Sequence, residues 1–158
     1  MPWQAMEDAK WMLEALDQAR QAGDLGEVPV GAVVVRGGEV IGRGYNRREV
    51  DRDPLAHAEI LAIRQAARQV GGWRLTDCAL YVTLEPCAMC AGALVNSRVD
   101  RLVFAARDPK AGYCGSLGNL VEDERLNHRL EVVEGVLAEE AGALLRDFFA
   151  SLRRNRPG

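Results

Sequence analysis

Val33, Val34 and Val35 stand in direct succession. Because successive strand residues point to opposite faces, a strand that carries all three must be covered on both sides. The flanking residues make it half of a hairpin: the run Val30 to Val35, the Gly37-Gly38 dipeptide that tolerates positive φ, and the run Val40 to Tyr45. Before it, Met6, Ala9, Leu13 and Leu16 recur at three-and-four spacing over residues 2–22, which predicts a helix with one buried stripe, broken at Gly23. After it, Pro54 is expected to open a helix in which Ile60, Ile63, Ala67 and Val70 face inward until Gly71-Gly72 stops it. A strand from Cys78 to Thr83, a helix introduced by Pro86 and reaching about Asn96, and a strand from Arg101 to Ala105 continue the alternation. The stretch Arg107 to Asn119 carries Gly112, Gly115 and Gly118 without a clean period and reads as a loop of the kind that carries function. A short strand at Glu131 to Val133 and a helix from Ala138 to Arg153, with Leu145, Phe148 and Leu152 inward, complete the chain.

Strands separated by helices of this length predict an α/β fold, a mixed sheet with helices packed on its faces. With 158 residues, no internal repeat and no linker, a single domain over residues 1–158 is expected. No apolar run approaches the roughly 18 residues of a membrane span, and the first 22 residues are studded with charge, so a cytoplasmic protein with no membrane association is expected. Four cysteines in such a chain are thiols or metal ligands sooner than a disulfide framework. The net charge of -3 excludes a strongly basic nucleic-acid coat, although local basic clusters can still bind phosphate.

The residues that carry chemistry are His57-Ala58-Glu59 and Pro86-Cys87-Ala88-Met89-Cys90, each at the start of an expected helix. Cysteines three apart on a helix share a face, and the partial positive charge of a helix N-terminus favours their thiolates. One histidine and two thiolates leave the fourth tetrahedral position of a zinc ion for water, the arrangement of catalytic sites. Zinc lowers the pKa of such a water to about 7, and Glu59 is the carboxylate at hand to move its protons. Two residues along a regular helix rotate by roughly 200°, so His57 and Glu59 converge only if His57 sits at the helix edge with non-helical dihedrals.

The blander readings differ residue by residue. A Cys-x-x-Cys pair also builds structural zinc knuckles and redox pairs, and Cys78 or Cys114 would complete a four-cysteine site. Cys78 opens an apolar strand, where a free cysteine is a small core residue. His128, between Asn127 and Arg129, suits solvent or a local hydrogen bond better than ligation.

His-x-Glu followed by Pro-Cys-x-x-Cys is the signature of zinc deaminases, in which zinc-bound hydroxide attacks the amine-bearing ring carbon and the glutamate shuttles protons. Beyond it, the sequence resembles the bacterial tRNA-specific adenosine deaminases, of the cytidine-deaminase-like superfamily, over nearly its whole length. The resemblance rests on Pro29-Val30-Gly31-Ala32-Val33-Val34, Gly44-Tyr45-Asn46-Arg47, His57-Ala58-Glu59-Ile60, Thr83 through Ala93, Ala106 through Gly112, Asn127-His128 and Phe148-Phe149. It implies a three-layer fold around a five-stranded sheet, one zinc per subunit held by His57, Cys87 and Cys90, and a homodimer with an RNA groove built by both subunits. It also implies that Asn46 hydrogen-bonds the flipped base and that the Cys87 N–H helps hold the metal-bound oxygen. The loop bearing Arg107, Asp108 and Lys110 would meet the anticodon stem-loop. Tyr113 and Cys114 inherit no role.

The residues themselves are compatible with this. Asn offers both donor and acceptor to a purine edge, though it is also an ordinary turn residue. Arg98, Arg101, Arg107 and Lys110 outweigh Asp100 and Asp108, and Arg146, Arg153, Arg154 and Arg156 outweigh Asp147, so both segments suit phosphate or a solvated face. Phe148 falls on the inward stripe, which leaves Phe149 as the aromatic for surface contact with RNA, beside Arg153. The expected activity is conversion of wobble adenosine to inosine. The alternatives are a deaminase of free guanine or cytosine and a zinc-stabilised RNA-binding module without catalysis.

Overall fold

The computed structural model describes residues 2–155. In chain order it contains α1 (Pro2–Asp24), β1 (Gly31–Arg36), β2 (Glu39–Tyr45), α2 (Ala58–Val70), β3 (Cys78–Leu84), α3 (Ala88–Asn96), β4 (Arg101–Ala106), β5 (Glu131–Glu134) and α4 (Ala138–Arg154). Gly37 and Gly38 take φ of 57° and 77° and close the β1–β2 hairpin, as their sequence predicts. The sheet runs β2-β1-β3-β4-β5. β1 is antiparallel to both neighbours, while β3, β4 and β5 are parallel. The sheet is thus mixed and five-stranded.

Alternation along β1 divides the core in two. Val33 and Val35 pack with Tyr81, Val103 and the α1 and α4 side chains Met12, Leu16 and Ala141, whereas Ala32 and Val34 pack with Leu80, Phe104 and the α2 and α3 side chains Ala62 and Leu94. Helices therefore cover both faces, and the valine run is buried throughout.

Three inward stripes differ from those the periodicity predicts. On α1, Met6 and Leu13 are exposed, and Met12, Ala15, Leu16, Ala19 and Ala22 face the sheet. The reason is close backbone approach: a Cβ at Gly31 would lie 2.1 Å from the Ala15 carbonyl oxygen, so small residues, not large ones, choose the face. Nor does Gly23 break α1; the chain turns after Asp24, where the Glu27 N–H returns to the Ala22 carbonyl. On α2 the fully buried apolar residues are Ala58, Ala62 and Ala66, with Ile63, Ala67 and Val70 flanking them. Gly42 and Gly44 of β2 make this possible, since Cβ atoms there would lie 2.3 Å from the Ala62 oxygen and 2.4 Å from the Ala58 oxygen.

Pro54 does not open α2. It lies in a preceding turn organised by Asp53, whose carboxylate accepts the Leu55 N–H, and the helix begins four residues later. On α4 the residues that pack on the core are Ala141 and Leu144, whereas Leu145 and Phe148 are only half-buried and Leu152 is exposed, so the predicted stripe is displaced by about one residue. Arg156 lies outside the described residues.

Arg101 is not free for phosphate. Its guanidinium forms two bonds, of 2.6 and 2.7 Å, to the buried Asp8 carboxylate, which also accepts the Tyr81 hydroxyl at 2.7 Å. Burial alone would raise the Asp8 pKa, but these donors hold it below its ordinary value. The network ties α1 to β3 and β4. Arg101→Leu strands the Asp8 charge and is expected to destabilise the chain by about 3–5 kcal/mol, read as a fall in the denaturation midpoint. Asp8→Leu combined with it is expected to restore most of the loss; equal midpoints for Arg101→Leu and the parent would remove the pair from the stability of the fold.

Candidate metal centre

The N-terminal ends of α2 and α3 meet, and the reactive side chains stand on their caps and first turns. His57 is the N-cap of α2, with extended dihedrals of φ -79° and ψ 151°, and Glu59 is in the first turn. The kink at the cap lets both side chains turn the same way, as the helix-edge expectation required. Cys87 is the N-cap of α3, also extended at φ -73° and ψ 178°, and Cys90 follows one turn later. Pro86 accordingly precedes the cap instead of occupying the first turn. Neither cap side chain bonds its own helix.

The His57 Nδ1 atom lies 3.7 Å from the Cys87 sulfur and 3.6 Å from the Cys90 sulfur. A tetrahedral zinc with bonds of about 2.3 Å to sulfur and 2.0–2.1 Å to nitrogen requires roughly 3.5 Å between such atoms. The donor set and its spacing therefore fit a zinc ion. Among the described residues these three form the one such group, and its ligand atoms all lie within 4.8 Å of one another. Cys78 and Cys114 are buried in the core and do not join it, so no four-cysteine site is assembled. His128 is also apart, its Nε2 being 2.7 Å from the Val99 carbonyl oxygen.

The electrostatics favour ligation. The Cys87 thiol is pushed down to about 3 by the Cys90 thiol beside it and by His57, while the resulting Cys87 thiolate raises Cys90. The Cys87 thiol likewise raises His57. Burial pushes the Glu59 carboxyl up to about 7. A carboxyl poised near neutrality takes up and returns a proton with little cost in either direction.

The centre opens into a cavity of about 220 Å³ with apolar walls from Val28, Val30, Leu84 and Ala111 and polar groups from Asn46, Glu59 and Asp108. That is smaller than the roughly 300–1,000 Å³ of drug-sized pockets and suits a single flat ring system. Asn46 is buried at its rim; its amide donates to the Val28 carbonyl and accepts the Arg48 N–H, each at 3.2 Å, which fixes its orientation and leaves one donor hydrogen over.

The other expected contacts are not all gathered here. Asp108 lines the cavity, whereas Arg107 and Lys110 do not. Arg107 is exposed and forms a forked ion pair with Glu134, its closest bond being 2.9 Å. Phe149 and Arg153 are exposed on α4, on the other side of the sheet, where Phe149 meets Phe148 edge-on with ring centres 5.3 Å apart.

Three charged lining or supporting residues carry no role in the sequence alone: Arg48, which borders the cavity, and the buried carboxylates of Glu27 and Glu85. Glu27 accepts the N–H groups of Glu49 and Val50 and so holds the turn behind Asn46. Glu85 holds the loop on the opposite wall. A carboxylate at the end of a buried strand, directly before Pro-Cys, was the available sequence signal for Glu85.

Comparison with known proteins agrees with this geometry. The family model of MafB19-like deaminases matches residues 6–153. A tRNA-specific adenosine deaminase of Bacillus subtilis is 52% identical over 150 residues, covering 95% of this chain and 93% of the relative. One from Haemophilus influenzae is 49% identical over 150 residues, covering 94% and 87%. Among solved structures, a tRNA:A34 deaminase studied for A-to-I editing at the wobble position superposes with a TM-score of 0.83 at 43% identity, covering 86% of this chain and 99% of that one. A guanine deaminase from Nitrosomonas europaea gives 0.77 at 31% identity, covering 90% and 84%. With the paired caps, the enclosed glutamate and these likenesses in place, the chain belongs to the MafB19-like deaminase family and, within it, to the bacterial tRNA-specific adenosine deaminases.

Proposed function

We propose that the chain hydrolyses the wobble adenosine of a tRNA anticodon to inosine, with zinc held by His57, Cys87 and Cys90. The observation that carries the reading is the convergence of these three donors and the buried Glu59 on one base-sized cavity. When bound, zinc would act as a Lewis acid and lower the pKa of a water in its open position. Glu59 would take one proton of the water and deliver it to the ring nitrogen, then take the proton of the hydroxyl now on the ring carbon and pass it to the departing amine as the C–N bond breaks. Asn46 would fix the base by its remaining donor, and the cavity walls would exclude bulk water.

The substrate is RNA in this reading because the identity to tRNA-specific adenosine deaminases exceeds that to the guanine deaminase, 52% against 31%. Arg107 and Lys110 would meet phosphates outside the cavity, Arg107 exchanging Glu134 for the RNA, with Asp108 at the rim and Phe149 and Arg153 farther out on α4. A homodimer, one domain spanning the chain and a cytoplasmic location complete the reading. Among the described residues no helix is long and apolar enough to cross a membrane.

The decisive assay offers an anticodon stem-loop with a wobble adenosine, beside free adenosine, cytidine and guanine. Inosine in the stem-loop alone is expected. Ammonia released only from guanine would keep the metal chemistry and assign the substrate of the guanine deaminase instead.

A further inference from the structure

The loop that forms one wall of the cavity closes on a single carboxylate. Glu85 is 2% exposed and follows the last residue of β3. Its Oε1 accepts the Asp108 N–H at 3.0 Å and the Ser116 hydroxyl; its Oε2 accepts the Cys114 and Ser116 N–H groups, each at 3.0 Å. Every one of these donors lies between residues 108 and 116. The loop is also cut to fit around the carboxylate, because a Cβ on Gly112 would stand 2.3 Å from the Glu85 carboxyl carbon. Asp108, held by Glu85 through its N–H, in turn accepts the N–H groups of Lys110 and Ala111. The two wall residues Asp108 and Ala111 are therefore fixed in series from one buried group.

From this we infer that Glu85 is a positioning residue for the substrate: it sets the loop 108–116 in its binding form before RNA arrives. Its acceptor sites are filled by the loop, so it has no vacancy for a proton from the reaction and does not compete with Glu59. Fixing nine residues of otherwise irregular chain beforehand removes their ordering cost from the binding step. Without the carboxylate, that cost returns when substrate binds. The loss thus falls on KM, whereas the metal ligands and Glu59, on the caps and first turns of α2 and α3, are held by those helices and keep their places, Cys87 included although it also pairs with Gly112, and kcat with them.

This inference rests on the stem-loop reading above, and its test separates the two. Glu85→Gln replaces one acceptor oxygen with an NH2 group facing N–H donors. Backbone hydrogen exchange, zinc content and steady-state kinetics are measured on the full chain loaded with zinc. The expected result is exchange accelerated at least 10-fold in 108–116 but unchanged in β3, one zinc per chain, a KM for the stem-loop raised at least 10-fold, and a kcat within about 3-fold of the parent. Gly112→Ala, which evicts the carboxylate from the other side, is expected to reproduce the pattern, and Ser116→Ala, which removes one donor of four, to give a smaller rise in KM. Unchanged exchange in the loop, or faster exchange with unchanged KM, overturns the inference. Should Glu85→Gln fail to fold, Ser116→Ala and Gly112→Ala decide by the same criteria. If the parent itself leaves the stem-loop untouched, the substrate reading fails alone, and the same KM comparison is made with the free base that is turned over.

Discussion

Glu59→Gln is expected to abolish inosine formation in the stem-loop, by about 10²–10⁴-fold or more, and to leave zinc content and melting temperature at or above those of the parent. Gln keeps the shape of Glu but cannot carry a proton. Glu59 is 4% exposed, and burial is what raises its carboxyl to about 7, so the fold gains nothing from its charge. Removing the ionisable group therefore removes a desolvation cost as well as a catalyst. Activity and stability are expected to move in opposite directions, or stability not at all, which separates this residue from a structural carboxylate such as Glu85. A zinc-replete Glu59→Gln protein that retains more than a tenth of the parental rate would take Glu59 out of the proton path.

Cys90→Ala is expected to lose both the metal and stability. The Cys90 sulfur is fully buried at the junction of α2 and α3, and one thiolate with one histidine cannot complete a tetrahedral site. A ligand that binds only the folded chain stabilises it by about 4 kcal/mol when present at a thousandfold over its Kd. The variant forfeits this, and the parent treated with a chelator should melt at nearly the same temperature as the variant. Acid should act likewise, since protons compete with zinc for the thiolates and for His57, so metal retention rises with pH. Zinc per chain by atomic emission, with melting curves in chelator, gives the comparison. A Cys90→Ala protein that holds one zinc per chain would exclude Cys90 as a ligand.

Legibility in the sequence followed the range of the interaction. The hairpin, the strands and the His-x-Glu and Pro-Cys-x-x-Cys groups are local patterns, and the cap position of His57 followed from helix geometry once Glu59 had to face the same way. What escaped was decided by the partner element. Met6 and Leu13 lost the inner face of α1 because Gly31, on another element, admits only small residues opposite it. Arg101 read as a surface cation because Asp8, far away in the chain, gives no local sign of pairing with it. Glu85 read as part of a motif without a role, since its partners are backbone N–H groups of a loop whose residue types say nothing about that bond.

The missing side chains at Gly42 and Gly44 also have a consequence for how the site tolerates change. Where α2 lies on β2, main chain meets main chain, and the height of the helix above the sheet is a property of the polypeptide itself. Gly31 does the same for α1, whereas α4 meets the sheet through side chains such as Ala141 and Leu144, and their volumes can drift without passing that drift to His57 and Glu59. The molecule separates an adjustable edge at α4 from a part machined to fixed dimensions, and the reactive groups stand on the second.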